Sequence, residues 1–64
     1  MIDYQVVTEH DNAVVSSRVG FELAKISLRF VRDHMQQPAR LEKVVRLDNG
    51  QATVEVVIPH DKEI

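Results

Sequence analysis

Residues 12–36 form the longest stretch in which apolar side chains recur at helical spacing, and this stretch constrains the fold most. At about 100° per residue its apolar side chains cover an arc of roughly 200°, whereas a helix lying on one sheet needs a stripe of about 100° or more. One face of a small sheet cannot cover so wide an arc. The stretch therefore predicts one long amphipathic helix, residues 12–36, with apolar surface left over.

The apolar arc has two edges with a row of small residues between them. Small residues at spacings of three and four allow another backbone to approach closely. Glycine inside a helix costs about 1 kcal/mol relative to alanine, so Gly20 requires a packing reason. The row faces either the chain's own sheet or a second copy of the helix, and the pattern leaves both open. One edge holds Val15, Val19, Leu23, Ile26 and Phe30, the other holds Phe21, Leu28, Val31 and Met35, and the row holds Ser16, Gly20, Ala24 and Ser27.

The ends of this helix are marked by residues that favour caps and breaks. Asp11 or Asn12 is a good N-cap, because either side chain can accept from the free backbone N–H groups that follow. Pro38 disfavours helical geometry at the residue before it and so closes the segment. The paired serines at 16 and 17 mark a later start as an alternative, with residues 14 and 15 still extended.

Three strands surround the helix in the predicted order βαββ. Residues 2–8 alternate apolar with polar side chains and are rich in strand formers. Residues 41–47 and 52–58 are two further strand-forming runs joined at Asn49-Gly50, a pair that favours a type I′ turn. That turn places Leu47 opposite Ala52 and leaves one apolar face on the hairpin. Pro59 ends the last strand, and residues 59–64 are expected to be a frayed tail.

The predicted fold class is α+β, a single domain over residues 1–64 with the helix on a three-stranded antiparallel or mixed sheet. A right-handed crossover makes the first strand parallel to strand 41–47. The first strand can lie beside strand 52–58 or beside strand 41–47, and the split arrangement favours the former.

Chain length and composition favour self-association. A chain of 64 residues buries only about 60% of its unfolded surface, and this chain has no cysteine for a disulfide. A dimer or higher homo-oligomer would supply the missing core. The expected oligomer interface consists of Phe21, Leu28, Val31, Met35, Gly20 and Ala24.

Positive charge is concentrated in the middle of the chain. Residues 12–47 carry seven basic and three acidic side chains, although the whole chain has a net charge of −2. Such a basic segment can bind an acidic protein or the phosphates of a nucleic acid, or it can be a solvated helix face. The candidates for binding an anionic partner are Arg18, Lys25, Arg29 and Arg32.

The sequence offers no arrangement typical of an enzyme. No serine lies in a nucleophile elbow, and no histidine pair has the spacing of metal ligands. We therefore expect no catalytic residues, no metal and no cofactor. No apolar run approaches the roughly 18 residues that span a bilayer, so a cytoplasmic protein without a membrane partner is expected. The leading hypothesis is a non-enzymatic oligomeric assembly or protein-interaction module, and the alternative is a nucleic-acid-binding regulator.

Overall fold

The computed structural model describes all 64 residues and contains four strands and one helix. One helix packs on an antiparallel sheet, as the α+β prediction requires, but the sheet has four strands where three were expected. The element bounds are β1 Ile2–Thr8, β2 Val14–Val19, α1 Phe21–Asp33, β3 Ala39–Arg46 and β4 Ala52–Ile58.

The sheet has the order β2-β1-β3-β4, and every neighbouring pair is antiparallel. Strand β1 therefore lies inside the sheet, with β2 on one side and β3 on the other. Strands β2 and β3 run parallel to each other, with β1 between them and α1 connecting them. The prediction that the first strand runs parallel to strand 41–47 and lies beside strand 52–58 is wrong, since β1 pairs directly and antiparallel with β3.

The predicted helix over residues 12–36 is too long at both ends, because residues 14–19 form β2 and α1 ends at Asp33. Tyr4 pairs with Val19, and Val6 pairs with Ser16. Valine and serine are weaker helix formers than leucine or alanine, and valine fits the pleated surface of a strand. Pairing with β1 therefore outweighs the helical spacing of the valines. The alternative helix start near Ser16 and Ser17 correctly kept residues 14 and 15 extended, although the helix begins only after Gly20.

The turn between β1 and β2 uses the residue that the sequence analysis assigned to a helix cap. An Asp11 carboxylate oxygen accepts from the backbone N–H of Ala13 at 3.1 Å and from the hydroxyl of Thr8. The Thr8 hydroxyl, and after it the Ala13 N–H, hold the pKa of Asp11 below its ordinary value. Asn12 takes a positive φ of 55°, which asparagine tolerates. The carboxylate thus closes a hairpin with the same kind of bond that would cap a helix.

The core lies between α1 and the sheet. It is a cluster of six buried side chains, which is small even for a chain of this length. Helix α1 packs mainly against β1, β2 and β3, and Ile58 at the end of β4 reaches the same core. With 13 residues it is also too short to cross a membrane. The core residues are Val6, Ala24, Leu28, Val31, Ala39 and Leu41.

The hairpin of β3 and β4 is confirmed, whereas its predicted type I′ turn and register are wrong. Gly50 alone in this turn has a positive φ, 87°, whereas a type I′ turn needs two such residues. The N–H of Gly50 donates to the carbonyl of Leu47 at 3.1 Å, which is typical of a type I turn followed by a left-handed glycine. The loop is one residue longer than a type I′ loop, so Arg46 rather than Leu47 lies opposite Ala52.

Replacing Gly50 with alanine tests this turn. A Cβ at this position would meet no neighbouring atom within 4 Å. The positive φ alone should therefore lower the free energy of unfolding, by about 1–2 kcal/mol. Gly20→Ala is the matched control, because Gly20 has an extended backbone and equally open space. Because alanine restricts the unfolded chain by about 0.4–1 kcal/mol and meets no strain there, we expect Gly20→Ala not to destabilise the protein in urea denaturation. Equal effects of the two substitutions would contradict the assigned turn.

Candidate interaction surfaces

Three large apolar side chains of α1 point away from the sheet and form what we call the outer helix surface. Leu23, Ile26 and Phe30 are 61%, 64% and 56% exposed. They lie at spacings of three and four, so they share one side of the helix. The apolar arc is therefore wider than the sheet covers, even though the helix is half as long as predicted. The ring of His34 lies 5.0 Å from that of Phe30 and extends the surface toward the helix end.

The structure changes which helix edge is available to a partner. Leu28, Val31 and Ala24 are buried against the chain's own sheet, so the small residue Ala24 faces that sheet. These three members of the predicted oligomer interface are not free to contact a second copy. Gly20 precedes the helix as its N-cap, so it is no longer a mid-helix glycine that needs a packing reason.

The two remaining members of the predicted interface lie at opposite ends of α1. The ring of Phe21 lies 5.1 Å from that of Tyr4, and Phe21 is partly exposed at the start of the helix. Met35 is exposed just beyond the helix end. We accordingly revise the candidate interface to the outer helix surface, which belongs to the other apolar edge of the wheel.

The basic residues predicted to bind an anion do not form one row. Arg18 lies on β2, outside the helix. Lys25 lies 3.1 Å from Glu22 and 4.9 Å from the centre of the Phe21 ring. Arg29 makes neither an ion pair nor a side-chain hydrogen bond, which distinguishes it from its helical neighbours.

Arg32 is a structural residue that holds the C-terminal segment. Its guanidinium donates to the carbonyls of Ala39 at 2.9 Å, Pro59 at 2.9 Å and Lys62 at 2.6 Å. The side chain of Ile64 packs against the core beside this clamp. Residues 59–64 are therefore attached to the fold, where the sequence predicted a frayed tail. Nothing in the spacing of charges shows that an arginine will bind backbone carbonyls.

The sheet face opposite α1, which we call the open face, carries a network of ion pairs. Arg46 lies 2.7 Å from the carboxylate of Asp3, and Arg40 lies 2.7 Å from that of Glu42. The hydrogen bond from Arg46 holds the pKa of Asp3 below its ordinary value of 3.8, while burial opposes this shift. The hydrogen bonds from Arg40 to Glu42 and then to Glu9 raise the pKa of the guanidinium. These charges are paired within the chain and are not free for a ligand.

Strand β4 presents a second apolar surface at the edge of the sheet. It is exposed along almost its whole length, with Val54 56% and Val56 46% exposed. Val54 lies opposite Val44, and Val56 lies opposite Glu42, so both valines are on the open face. The register predicted from the sequence placed these valines on the side of the hairpin that faces the core. Their exposure was therefore not predicted.

The acidic and histidine side chains do not converge at any one place in the fold. No group of three His, Asp or Glu side chains comes together as a metal site would require. A shallow cavity of about 400 Å³ lies between the end of α1 and the C-terminal segment, lined by Arg29, Arg32, Asp33, Glu63 and Ile64. Its two cations and two anions balance, and Arg32 is already bound to carbonyls.

Comparisons with protein-family models, with curated proteins and with solved structures gave no match to this chain. The function of this chain is therefore inferred from its two exposed apolar surfaces, which are the outer helix surface and β4. Both are apolar and exposed.

Arg32→Gln tests the clamp. Removing the charged donor should cost about 1.5–3 kcal/mol of unfolding free energy, because the charge-assisted hydrogen bonds to three carbonyls are lost. Hydrogen exchange should rise at the Lys62 N–H, which donates to the carbonyl of Pro59 at 3.1 Å, before it rises in the sheet. Arg29→Gln, one turn away on the same helix and without a partner, should leave exchange unchanged. Equal protection of the segment in both variants would show that Arg32 does not hold it.

The Asp3–Arg46 pair predicts a defined pH dependence. A carboxyl whose pKa is lower in the folded than in the unfolded chain stabilises the fold above the unfolded value, and this contribution disappears as pH falls through the folded value. Thermal unfolding of the wild type should therefore lose stability below a pH of about 4. Asp3→Asn should flatten this decline, whereas Asp61→Asn, at an exposed and unpaired site, should not. Identical pH profiles would contradict the assignment.

Proposed function

We propose that this chain is a non-enzymatic interaction module that assembles with copies of itself through the outer helix surface. The observation that carries the proposal is the exposure of Leu23, Ile26 and Phe30 on a chain whose core cluster has only six residues. Isolated exposed apolar residues are normal, but a contiguous set on one helix side is typical of an interaction site. Burying each of these side chains is worth about 1.5–3 kcal/mol. A cytoplasmic location stays a prediction of the sequence.

A second copy fits this surface when two helices pack antiparallel about a two-fold axis at Ile26. Leu23 then lies near Phe30 of the second copy, and the reverse contact follows from the symmetry. The same arrangement brings Glu22 beside Arg29 of the second copy, because like flanks of antiparallel helices face each other. Arg29, which has no partner within its own chain, thereby gains an acidic one. Charge and apolar side chains are thus both complementary to the surface itself.

The alternative, a nucleic-acid-binding regulator, has less support from the geometry. Of the four basic residues assigned to it, Arg32 is occupied by carbonyls and Lys25 by Glu22 and Phe21. Arg18 lies on β2, away from the helical row. Only Arg29 is left to contact a phosphate from the exposed helix face, and a single contact gives weak binding. We therefore keep this alternative as an outcome of the test below.

Ile26→Glu tests the proposal, because it places two like charges at the two-fold axis. Light scattering should show a lower mass than the wild type at the same concentration, with an unchanged circular dichroism spectrum. Leu47→Glu is the control, since Leu47 is 47% exposed but belongs to the β3–β4 hairpin. A wild type that is still monomeric at about 100 μM, well above a micromolar Kd, would overturn the proposal. Salt-sensitive retention on nucleic acid that Arg29→Gln abolishes would favour the alternative.

A further inference from the structure

The two edge strands of the sheet differ in how well they are protected from pairing. Strand β2 has two register shifts against β1, and Arg18 within it has a left-handed backbone with φ 57°. Irregularities and charges of this kind prevent an edge from accepting another strand. Strand β4 is regular between residues 52 and 56 and contains no lysine, arginine or proline. Its one charged residue is Glu55, on the helix-facing side of the sheet opposite Lys43.

The backbone of β4 presents free hydrogen-bonding groups to solvent at alternate residues. The N–H of Leu47 donates to the carbonyl of Gln51 at 2.8 Å and starts the β3–β4 ladder. In an antiparallel pair the hydrogen-bonded positions alternate, so Thr53 and Glu55 bond toward β3. Ala52, Val54 and Val56 then direct their N–H and C=O groups outward. The residues with free backbone groups are also those whose side chains lie on the open face.

We propose that β4 pairs antiparallel with β4 of a second copy about a two-fold axis at Val54, which joins two sheets into one of eight strands. Ala52 then bonds to Val56 of the second copy, Val54 bonds to Val54, and Val56 bonds to Ala52. Each of these three pairs exchanges two backbone hydrogen bonds. The side chains of the three pairs form one apolar stripe on the open face, beside the buried Val44 of each copy.

The register is fixed by charge and by a bulge. An axis at Glu55 would place two carboxylates directly opposite each other, which is destabilising. An axis at Val56 would require pairing through residues 57 and 58, where β4 is irregular against Leu41 and Glu42 of β3. An axis at Thr53 would pair fewer residues of β4 and would reach into the turn. With the axis at Val54, Glu55 instead lies opposite Thr53 of the second copy.

This pairing goes beyond the proposed function, because it uses a different part of the chain. The outer helix surface points away from the sheet on one side, and the apolar stripe of β4 lies on the opposite face of the sheet, so the two surfaces are separate. A standard interface covers about 800 Å² of each partner, roughly a fifth of the 4368 Å² that this chain exposes. One strand is narrower than that, and we expect pairing through β4 alone to be concentration-dependent. Two two-fold contacts per chain produce an assembly larger than a dimer.

Four proteins compared by light scattering separate the two contacts. Val54→Lys places two ammonium groups at the β4 axis, and Ile26→Glu disrupts the helix contact. The wild type should exceed a dimer, each single variant should fall to a dimer, and the double variant should be monomeric. Val14→Lys is the matched control, because Val14 is 53% exposed on the opposite edge strand, and its mass should equal that of the wild type. If Val54→Lys leaves the mass unchanged, the β4 pairing is overturned and the proposed function stands. If Ile26→Glu leaves the mass unchanged, the proposed function is overturned and the β4 pairing stands.

Cross-linking tests the register without depending on mass. The chain has no cysteine, so a single introduced thiol reports on one position. Val54→Cys should form an intermolecular disulfide under mild oxidation, because the two Cα atoms at the axis would lie about 5.5 Å apart. Val14→Cys should remain reduced, and Glu55→Cys should cross-link more slowly. No preference for Val54→Cys over Val14→Cys would overturn the pairing, including the case in which β4 instead accepts a strand of another protein.

Discussion

The pairing of β1 with strands on both of its sides is the constraint on which the rest of the structure depends. Residues 14–19 satisfy the free side of β1, and they can do so only if they are extended. An unpaired strand edge buried under a helix would leave backbone groups without partners, which is costly. The backbone of β1 therefore decides the conformation of β2, although the valines and the Gly20 neighbourhood also suit a helix by spacing.

Because residues 14–19 form β2, the helix can begin only at Phe21. The packing of this shorter helix then determines which apolar side chains remain exposed. Because α1 begins only at Phe21, it packs mainly against β1, β2 and β3. The same helix buries one apolar edge, with Leu28 and Val31, and leaves Leu23 and its neighbours in solvent. The open face is stabilised differently, by ion pairs such as that of Asp3 with Arg46. The outer helix surface thus follows from the strand pairing of β1, whereas the apolar side of β4 follows from the register of the β3–β4 hairpin.

The sequence was sufficient to predict the structure of a segment wherever that structure depends on neighbouring residues in the chain. Strand β1, the β3–β4 hairpin and the wide apolar arc of the helix all follow from side-chain periodicity. Where a long-range partner decides, the sequence was insufficient. Arg32 binds carbonyls that lie up to 30 residues away, and the pairing of residues 14–19 with β1 makes Asp11 a hairpin residue where a helix cap was expected. The one-residue difference in the hairpin loop also hid the apolar side of β4.

The conformation of residues 14–19 tests the account most directly, because the sheet order, the start of α1 and the outer helix surface all follow from it. Solution NMR of the wild type can record cross-strand backbone contacts and the secondary chemical shifts of this segment. The account predicts extended shifts from Val14 to Val19, contacts between Tyr4 and Val19 and between Val6 and Ser16, and helical shifts that begin at Phe21. A continuous set of helical shifts from residue 14 onward, without contacts to β1, would contradict it.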